Sequence, residues 1–205
     1  MRRAFGYVSV IAALLFVVAV IALHFLAPEV DPMRYGISFY AHTRFGLMID
    51  LALALVGVSA ITLAIALWPA KPSTAGRIGL VLLIAFGITE ILAGLFPVDA
   101  VGASPTLSGS IHNYAGFNFL LVAPAVLLVE FSRSTVGDPG RPRPITVWLA
   151  WLLLVVTVLL FTFNGPFQSL GIGGAIQRLY WLVLVAWLLL KDTQVLRTEA
   201  PTAVA

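Results

Sequence analysis

Six long apolar segments, separated by short polar ones, follow one another along this chain of 205 residues. Most are close to the ~20 residues that a helix needs to cross the hydrocarbon core of a membrane. They lack the alternating pattern of a membrane β-barrel, and lipid tolerates only helices or closed barrels. The pattern therefore predicts an all-α protein, a single membrane domain over residues 1–205 built as a bundle of six transmembrane helices. The predicted spans are Gly6–Leu26, Leu47–Trp68, Ile78–Phe96, Tyr114–Val129, Ile145–Phe163 and Ala175–Leu190.

Composition supports lipid as the solvent of this chain. Hydrophobic residues make up 60% of it and charged residues 10%, whereas soluble domains carry about 25% charge. Cysteine is absent, which excludes disulfides and thiolate metal sites. The net charge of +3 comes without a basic patch interleaved with aromatics, so we expect no nucleic-acid partner.

The basic residues are distributed unequally between the two sides of the predicted bundle. Nine fall on the side of the termini and three on the other side, and cytoplasmic loops are the ones enriched in Lys and Arg. We therefore predict a protein of the plasma membrane with both termini in the cytoplasm, a cytoplasmic basic loop at 132–144 and a cytoplasmic tail at 192–205. The nine are Arg2, Arg3, Lys71, Arg77, Arg133, Arg141, Arg143, Lys191 and Arg197, and the three are Arg34, Arg44 and Arg178.

Polar residues inside the spans gather toward the extracytoplasmic side. Glu90 and Asn118 lie inside the third and fourth spans, and Arg178 begins the sixth, whereas Glu130 is alone on the inner half, at a helix end where we expect it to reach water. Ionisable groups in lipid are costly and normally face a wet cavity or a partner. The pattern predicts a polar vestibule that opens to the extracytoplasmic side and is closed toward the cytoplasm.

Two interpretations of Glu90 follow from its position. It is either a functional group that carries a proton or contacts a ligand, or a structural carboxylate neutralised by Arg178 or hydrogen-bonded to Asn118. Pro124, in the middle of the fourth span, is expected to kink that helix and widen the vestibule.

The connector Gly94–Phe117 carries the candidate catalytic residues, Asp99 and His112. With a nearby serine they are the ingredients of hydrolytic catalysis. Capping serines and an interfacial histidine would give the same pattern.

An internal repeat links this connector to the first loop. Each has a Val-Asp pair and then a Ser-x3-His-x3-Gly spacing that leads into the next helix, which predicts three tandem helical hairpins whose loops meet on one face. Asp31, His42, Asp99 and His112 would then converge above the bundle beside Arg178. No His-x3-His or His-Glu-x2-His pair is present, and no metal site is predicted. The repeated residues are Ser38, His42 and Gly46 in the first loop and Ser108, His112 and Gly116 in the connector.

Three motifs carry a resemblance to a known family: "YGISFYAHTRFG" after the first helix, "GLFPVDA…SGSIHNYAG" between the third and fourth, and a Gly-rich turn leading to "QRLYW" at Gln177–Trp181. On these the chain resembles the bacterial and archaeal integral membrane proteins grouped as domain of unknown function family 998. The resemblance implies a fold and a topology but no activity or cofactor. A looser similarity is to membrane hydrolases related to alkaline ceramidases. Their His-x3-His near the last helix is replaced here by Gln177-Arg178, which argues against a zinc amidohydrolase.

Three classes of function remain at this stage. The favoured one is a protein that binds a small molecule, a lipid headgroup or a partner helix in the vestibule, with membrane lipids around it and no cofactor. The alternatives are a membrane hydrolase that acts on a lipid-like substrate and a proton-coupled carrier that uses Glu90. The residues predicted to bind are Ser38, Glu90, Asp99, His112, Asn118 and Arg178, joined by Asp31 and His42 if the hairpin repeat is real.

Overall fold

The computed structural model describes residues 1–70, 73–132 and 142–197, and these are helical with short connections. Six helical segments are long and apolar enough to cross a membrane: 2–26, 46–70, 74–95, 107–131, 144–162 and 173–197. The prediction of an all-α, six-span protein is confirmed. The helices are α1 (Arg2–Leu26), α2 (Gly46–Leu67), α3 (Thr74–Leu95), α4 (Leu107–Gly116), α5 (Phe119–Phe131), α6 (Pro144–Thr162), α7 (Asn164–Ser169) and α8 (Gly173–Arg197), with 3-10 turns at Ile37–His42 and Trp68–Ala70.

Local sequence signals account for several of the helix ends. Ser73 caps α3 by accepting a hydrogen bond from the backbone N–H of Gly76 at 3.2 Å. Pro144 starts α6 at a position where its missing N–H costs nothing. Pro97 follows directly after the C-cap residue of α3, where it prevents the helix from continuing.

The spanning helices close into a ring in chain order. Each packs on its sequence neighbours, α8 returns to pack on α1, and α2 and α8 also touch across the ring. Small residues allow the closest approach: a Cβ added to Gly57 would clash with the carbonyl oxygen of Gly87, and one added to Gly87 would clash with that of Gly57. This contact brings α2 and α3 together at backbone distance.

The ring consists of three helical hairpins, α1–α2, α3–α5 and α6–α8. In each, a short helix precedes the returning span: the 3-10 turn Ile37–His42, then α4, then α7. This order is compatible with the three predicted hairpins, and the sequence repeat itself stays a prediction. The matched residues differ in local conformation, because His42 ends a 3-10 turn before α2 whereas His112 lies within α4. We call the end of the bundle that carries these connections the loop face, and the opposite end, which carries the N-terminus and the end of α8, the terminal face.

The predicted fourth span is interrupted at a different place from the one expected. The helix was predicted to run from Tyr114 and to kink at Pro124, but the structure divides it at Phe117 and Asn118 into α4 and α5. Both residues at the break keep right-handed helical dihedral angles. Pro124 instead lies inside α5, which continues through it to Phe131.

The last helix extends further than predicted. It continues past Leu190 to Arg197, so the first part of the predicted tail at 192–205 is helical, and Asp192 and Gln194 are buried. Residues 198–205, and residues 133–141 of the predicted basic loop 132–144, lie outside the described residues.

Near the terminal face the structure corrects the expectation that Glu130 reaches water. Glu130 is fully buried and forms an ion pair with Lys191, with 2.7 Å between Oε1 and Nζ. The indole N–H of Trp187 donates to Oε1 at 2.8 Å, and the Thr146 hydroxyl donates to Oε2 at 3.0 Å. Lys191 is thus a core residue and does not lie in a loop. The reason is that α8 continues past Lys191 to Arg197, so that Lys191 lies inside a spanning helix.

A second buried contact ties α1, α2 and α8 together. The hydroxyl of Ser9 lies 2.9 Å from Oδ2 of Asp192 and 3.1 Å from the hydroxyl of Ser59. Together with the Glu130–Lys191 pair, it makes the terminal half of the bundle a polar network in which five of the six spans take part.

Removal of the charged amino group of Lys191 should destabilise the fold strongly. Lys191→Met leaves the buried Glu130 carboxylate without its ion pair, and we expect a loss of about 3–5 kcal/mol of unfolding free energy. Arg77→Met, at an exposed position on α3, is the control and should change it by less than about 0.5 kcal/mol. Unfolding in mixed detergent micelles, followed by helical circular dichroism, measures both. Equal effects of the two substitutions would contradict the core role of Lys191.

Candidate functional site

Glu90 lies on α3 with 2% of its surface exposed, and its partner is Asn118. The side-chain N–H of Asn118 donates to Oε1 of Glu90 at 2.6 Å. The sequence suggested Arg178 or Asn118 as the partner of Glu90, and the structure pairs Glu90 with Asn118. Glu90 is nevertheless not enclosed, because it also lines a cavity.

The break between α4 and α5 positions Asn118. Its backbone N–H donates to Ala115 at 2.9 Å, and its carbonyl accepts from Leu121 at 2.7 Å. The residue thus joins the short helix to the span and directs its amide toward α3. This geometry explains why the interruption falls here in a helix that is otherwise continuous.

A cavity of about 310 Å³ opens beside Glu90, and a second one of about 540 Å³ has six lining residues in common with it. The two share a wall, so we treat them as one space, the loop-face cavity. Its inner part reaches Glu90, His112 and Trp181, and its outer part reaches Phe117 and Phe161. The shared lining residues are Ser38, Phe39, Asn113, Gly116, Phe119 and Gln177.

Three polar atoms close to this cavity are buried without a hydrogen-bond partner among the described residues. They are Oδ1 of Asn118, the hydroxyl of Tyr180 and Nε1 of Trp181. Each residue is at most 5% exposed, and Trp181 is itself a lining residue. A buried polar group without a hydrogen-bond partner costs about 1–3 kcal/mol. A polar ligand that supplied a missing partner would recover part of this cost.

In the inner part of the cavity, three lining residues with polar side-chain groups were not among the predicted binding residues: Asn113, Gln177 and Trp181. The sequence held a signal for each, because Asn113 follows His112, Gln177 precedes Arg178, and Trp181 lies four positions after Gln177 on the same face of α8. Gln177 is oriented by the first loop, whose Ile37 N–H donates to its Oε1 at 2.8 Å.

His112 both caps a helix and faces the cavity. Its Nδ1 lies 3.0 Å from the carbonyl oxygens of Ala93 and Phe96 at the end of α3. Two acceptors at one ring nitrogen fix the proton there, which leaves Nε2 as a hydrogen-bond acceptor. His112 therefore presents an acceptor and not a donor when the imidazole is neutral.

Asp99 stabilises the connector and does not meet His112. Its carboxylate accepts from the backbone N–H of Thr106 at 3.0 Å and from the Thr106 hydroxyl at 2.7 Å. These hydrogen bonds lower the pKa of Asp99 below its ordinary value. In the described residues, Asp99 and His112 share no hydrogen bond, so the pair proposed for catalysis is not assembled.

Arg178 holds the first loop against α8. Its Nε donates to Nε2 of His24 at 2.9 Å, and its Nη1 donates to the carbonyls of Pro32 at 2.7 Å and Tyr35 at 2.6 Å. The other His24 nitrogen, Nδ1, lies 2.6 Å from the Val20 carbonyl, so His24 links α1 to Arg178. Arg178 faces away from the loop-face cavity, into a separate groove.

The remaining predicted residues divide between the cavity wall and its surroundings. Ser38 lines the cavity, whereas Asp31 accepts a hydrogen bond from the Met33 N–H at 2.9 Å within its own loop. His42 is exposed at the end of its 3-10 turn. Asp31, His42, Asp99 and His112 were predicted to converge beside Arg178. Of these residues, His112 alone lines the loop-face cavity in the described part of the chain. Over residues 1–70, 73–132 and 142–197, no three His, Asp or Glu side chains are placed to share a metal ion.

The chain matches the family described as "Protein of unknown function (DUF998)" over residues 10–191. It belongs to the DUF998 family. No curated protein and no solved structure shows significant similarity to it. The family resemblance drawn from the loop motifs is thus confirmed, and the function of this DUF998 protein has to be argued from its cavity.

Substitution of two asparagines tests whether the Glu90–Asn118 hydrogen bond stabilises the fold. Asn118→Ala removes the donor to buried Glu90 and should lower the unfolding free energy by about 1–3 kcal/mol. Asn113→Ala, at an exposed lining position, should change it by less than about 0.5 kcal/mol. Detergent unfolding curves of both variants test this, and a stable Asn118→Ala protein would refute the structural role of the Glu90–Asn118 hydrogen bond.

Proposed function

We propose that this protein binds an amphipathic, lipid-like molecule in the loop-face cavity. The polar group of the ligand lies beside Glu90, His112 and Trp181, and its apolar part extends past Phe117 and Phe161 toward the membrane. The observation that carries the proposal is a polar-lined cavity beside the buried carboxyl of Glu90. Its wall includes Trp181, whose buried indole N–H has no protein acceptor in the described part of the chain.

The shape and lining of the cavity support an amphipathic guest. Its inner part contains carboxyl, imidazole and amide groups, whereas Phe117 and Phe161 form a stacked pair at its outer part, with ring centroids 6.1 Å apart. Phe117 is 55% exposed, at a level of the bundle where exposed apolar residues meet lipid. A ligand can therefore enter sideways from the membrane.

The polar atoms also restrict the headgroup. Among the residues that line the inner part, Trp181 carries a donor and His112 an acceptor at Nε2. Glu90 provides a carboxyl group and no cation lines the inner part. The arrangement favours a headgroup with hydroxyl, amide or amine groups over a phosphate or a carboxylate.

We further propose that the protein lies in the plasma membrane with both termini in the cytoplasm. With Lys191 buried in the core, eight basic residues remain on the terminal side against three on the loop side, and the asymmetry still favours this orientation. The loop-face cavity is then extracytoplasmic. A single cysteine at Ser104 should react with an impermeant maleimide on intact cells, and labelling only after permeabilisation would reverse the orientation.

Filling the cavity should remove the ligand. A Cβ at Gly116 meets no atom within 4 Å, and Gly116 lines both parts of the cavity, so the side chain of Gly116→Leu occupies the space of the ligand. Gly165→Leu is the matched control, because Gly165 is also open at Cβ but lies on α7 outside the cavity lining. Each variant is purified from native membranes in mild detergent, and mass spectrometry quantifies the lipids that it retains.

We expect the native chain and Gly165→Leu to retain one species that Gly116→Leu loses by at least about tenfold, the equivalent of about 1.4 kcal/mol. Thermal unfolding of all three proteins verifies that the fold is intact. Equal lipid content in the three would contradict the proposal, as would a retained species without an amphipathic structure.

A further inference from the structure

A second concave surface lies between α1 and α8, and it shares Ile37 and Trp181 with the wall of the loop-face cavity. It has a volume of about 620 Å³ and an almost wholly apolar wall. We call it the α1–α8 groove. At its loop-face end are His24 and Arg178, and its wall on α8 includes Leu182, Ala186 and Leu189.

The cation at the end of the groove has no anionic partner among the described residues. Arg178 donates to carbonyls and to Nε2 of His24, and its remaining terminal nitrogen, Nη2, lies 3.5 Å from the hydroxyl of Tyr40. Asp31, in the loop that Arg178 holds, accepts from a backbone N–H instead. The guanidinium thus keeps its full charge and weakly used N–H groups at the membrane interface.

The surrounding backbone adds to this positive potential. Arg178 is close to the N-terminus of α8, where the helix dipole is positive, and the first turn of α8 contains no acidic residue. An anion placed at this end of the groove meets both the guanidinium and the helix end.

The length of the groove matches half of a bilayer. On α8 it extends from Arg178 to Leu189, which is about 16 Å at 1.5 Å per residue. Half of a hydrocarbon core of about 30 Å is about 15 Å. One acyl chain of a lipid whose headgroup lies at Arg178 therefore fits along the wall.

We propose that the α1–α8 groove is a binding site for an anionic phospholipid, with the phosphate on Arg178 and one acyl chain along α1 and α8. This proposal does not rest on the proposed function, although Ile37 and Trp181 line both surfaces: it assigns an anionic headgroup, which the loop-face cavity does not favour. Ala186 and Leu182 line the groove but not the loop-face cavity. The two sites can therefore be disabled separately.

Native mass spectrometry of the full-length protein in detergent tests the proposal. The probes are phosphatidylglycerol and phosphatidylcholine with identical acyl chains, added in equimolar amounts. We expect the native chain to retain phosphatidylglycerol over phosphatidylcholine by about tenfold, the equivalent of about 1.4 kcal/mol. Both lipids carry a phosphate, but the cationic choline of phosphatidylcholine cancels its charge and is repelled by Arg178, whereas phosphatidylglycerol is a net anion. Arg178→Gln should bring the ratio close to one, and Arg178→Lys should restore part of the preference.

A second test fills the α1–α8 groove with a large side chain and leaves Arg178 unchanged. Ala186→Trp should abolish the retained lipid, whereas Val81→Trp, at an exposed position on α3 outside both binding surfaces, should behave as the native chain. Wild-type retention of the two lipids at a ratio near one would overturn the proposal. Selective retention that survives Ala186→Trp would also overturn it, even if Arg178→Gln fails to fold. Displacement of the lipid by excess inorganic phosphate would assign the site to free phosphate and refute the role of the acyl chain.

Discussion

In the hydrocarbon core of a membrane, a polar side chain without a partner is costly, and this constraint organises the interior of the protein. Glu130 is matched by Lys191, Trp187 and Thr146, and Ser9 links Asp192 to α2. Each contact joins different spans, so the same groups that would oppose burial determine which helices are neighbours. The apolar surfaces provide close packing, and the polar contacts give the ring its specific arrangement.

Several buried polar groups in the half of the bundle near the loop face also have partners. Glu90 is matched by Asn118, and Arg178 by His24 and loop carbonyls. Beside the cavity, however, the Trp181 N–H and the Tyr180 hydroxyl have no partner among the described residues. Thr157 Oγ1 and Asp192 Oδ1 also lack a partner among the described residues, but neither residue lines the loop-face cavity. Trp181 does line it, and the cavity is of suitable size, which is why we assign ligand binding to this cavity.

The sequence predicted the spans and the hairpin order because apolar length and loop length are local properties of a chain. It also identified Glu90 and Asn118 as polar residues of the interior. It could not predict that Arg178 turns away from Glu90, because that depends on the rotation of α8 about its axis. Lys191 was misassigned for a related reason: a cation at the end of an apolar run has the same pattern whether it lies in a loop or enters the core. Asp99 and His112 were correctly located in the connector, but hydrogen bonds to Thr106 and to the end of α3, which no spacing reveals, separate their roles.

The central claim is that the loop-face cavity holds a polar group of a bound molecule. A high-resolution structure of the protein purified in native lipid tests it most directly. We predict density for one amphipathic molecule in the cavity, with an acceptor atom within hydrogen-bond distance of the Trp181 indole N–H. A dry, empty cavity, or a Trp181 whose N–H bonds to the protein itself, would contradict the account.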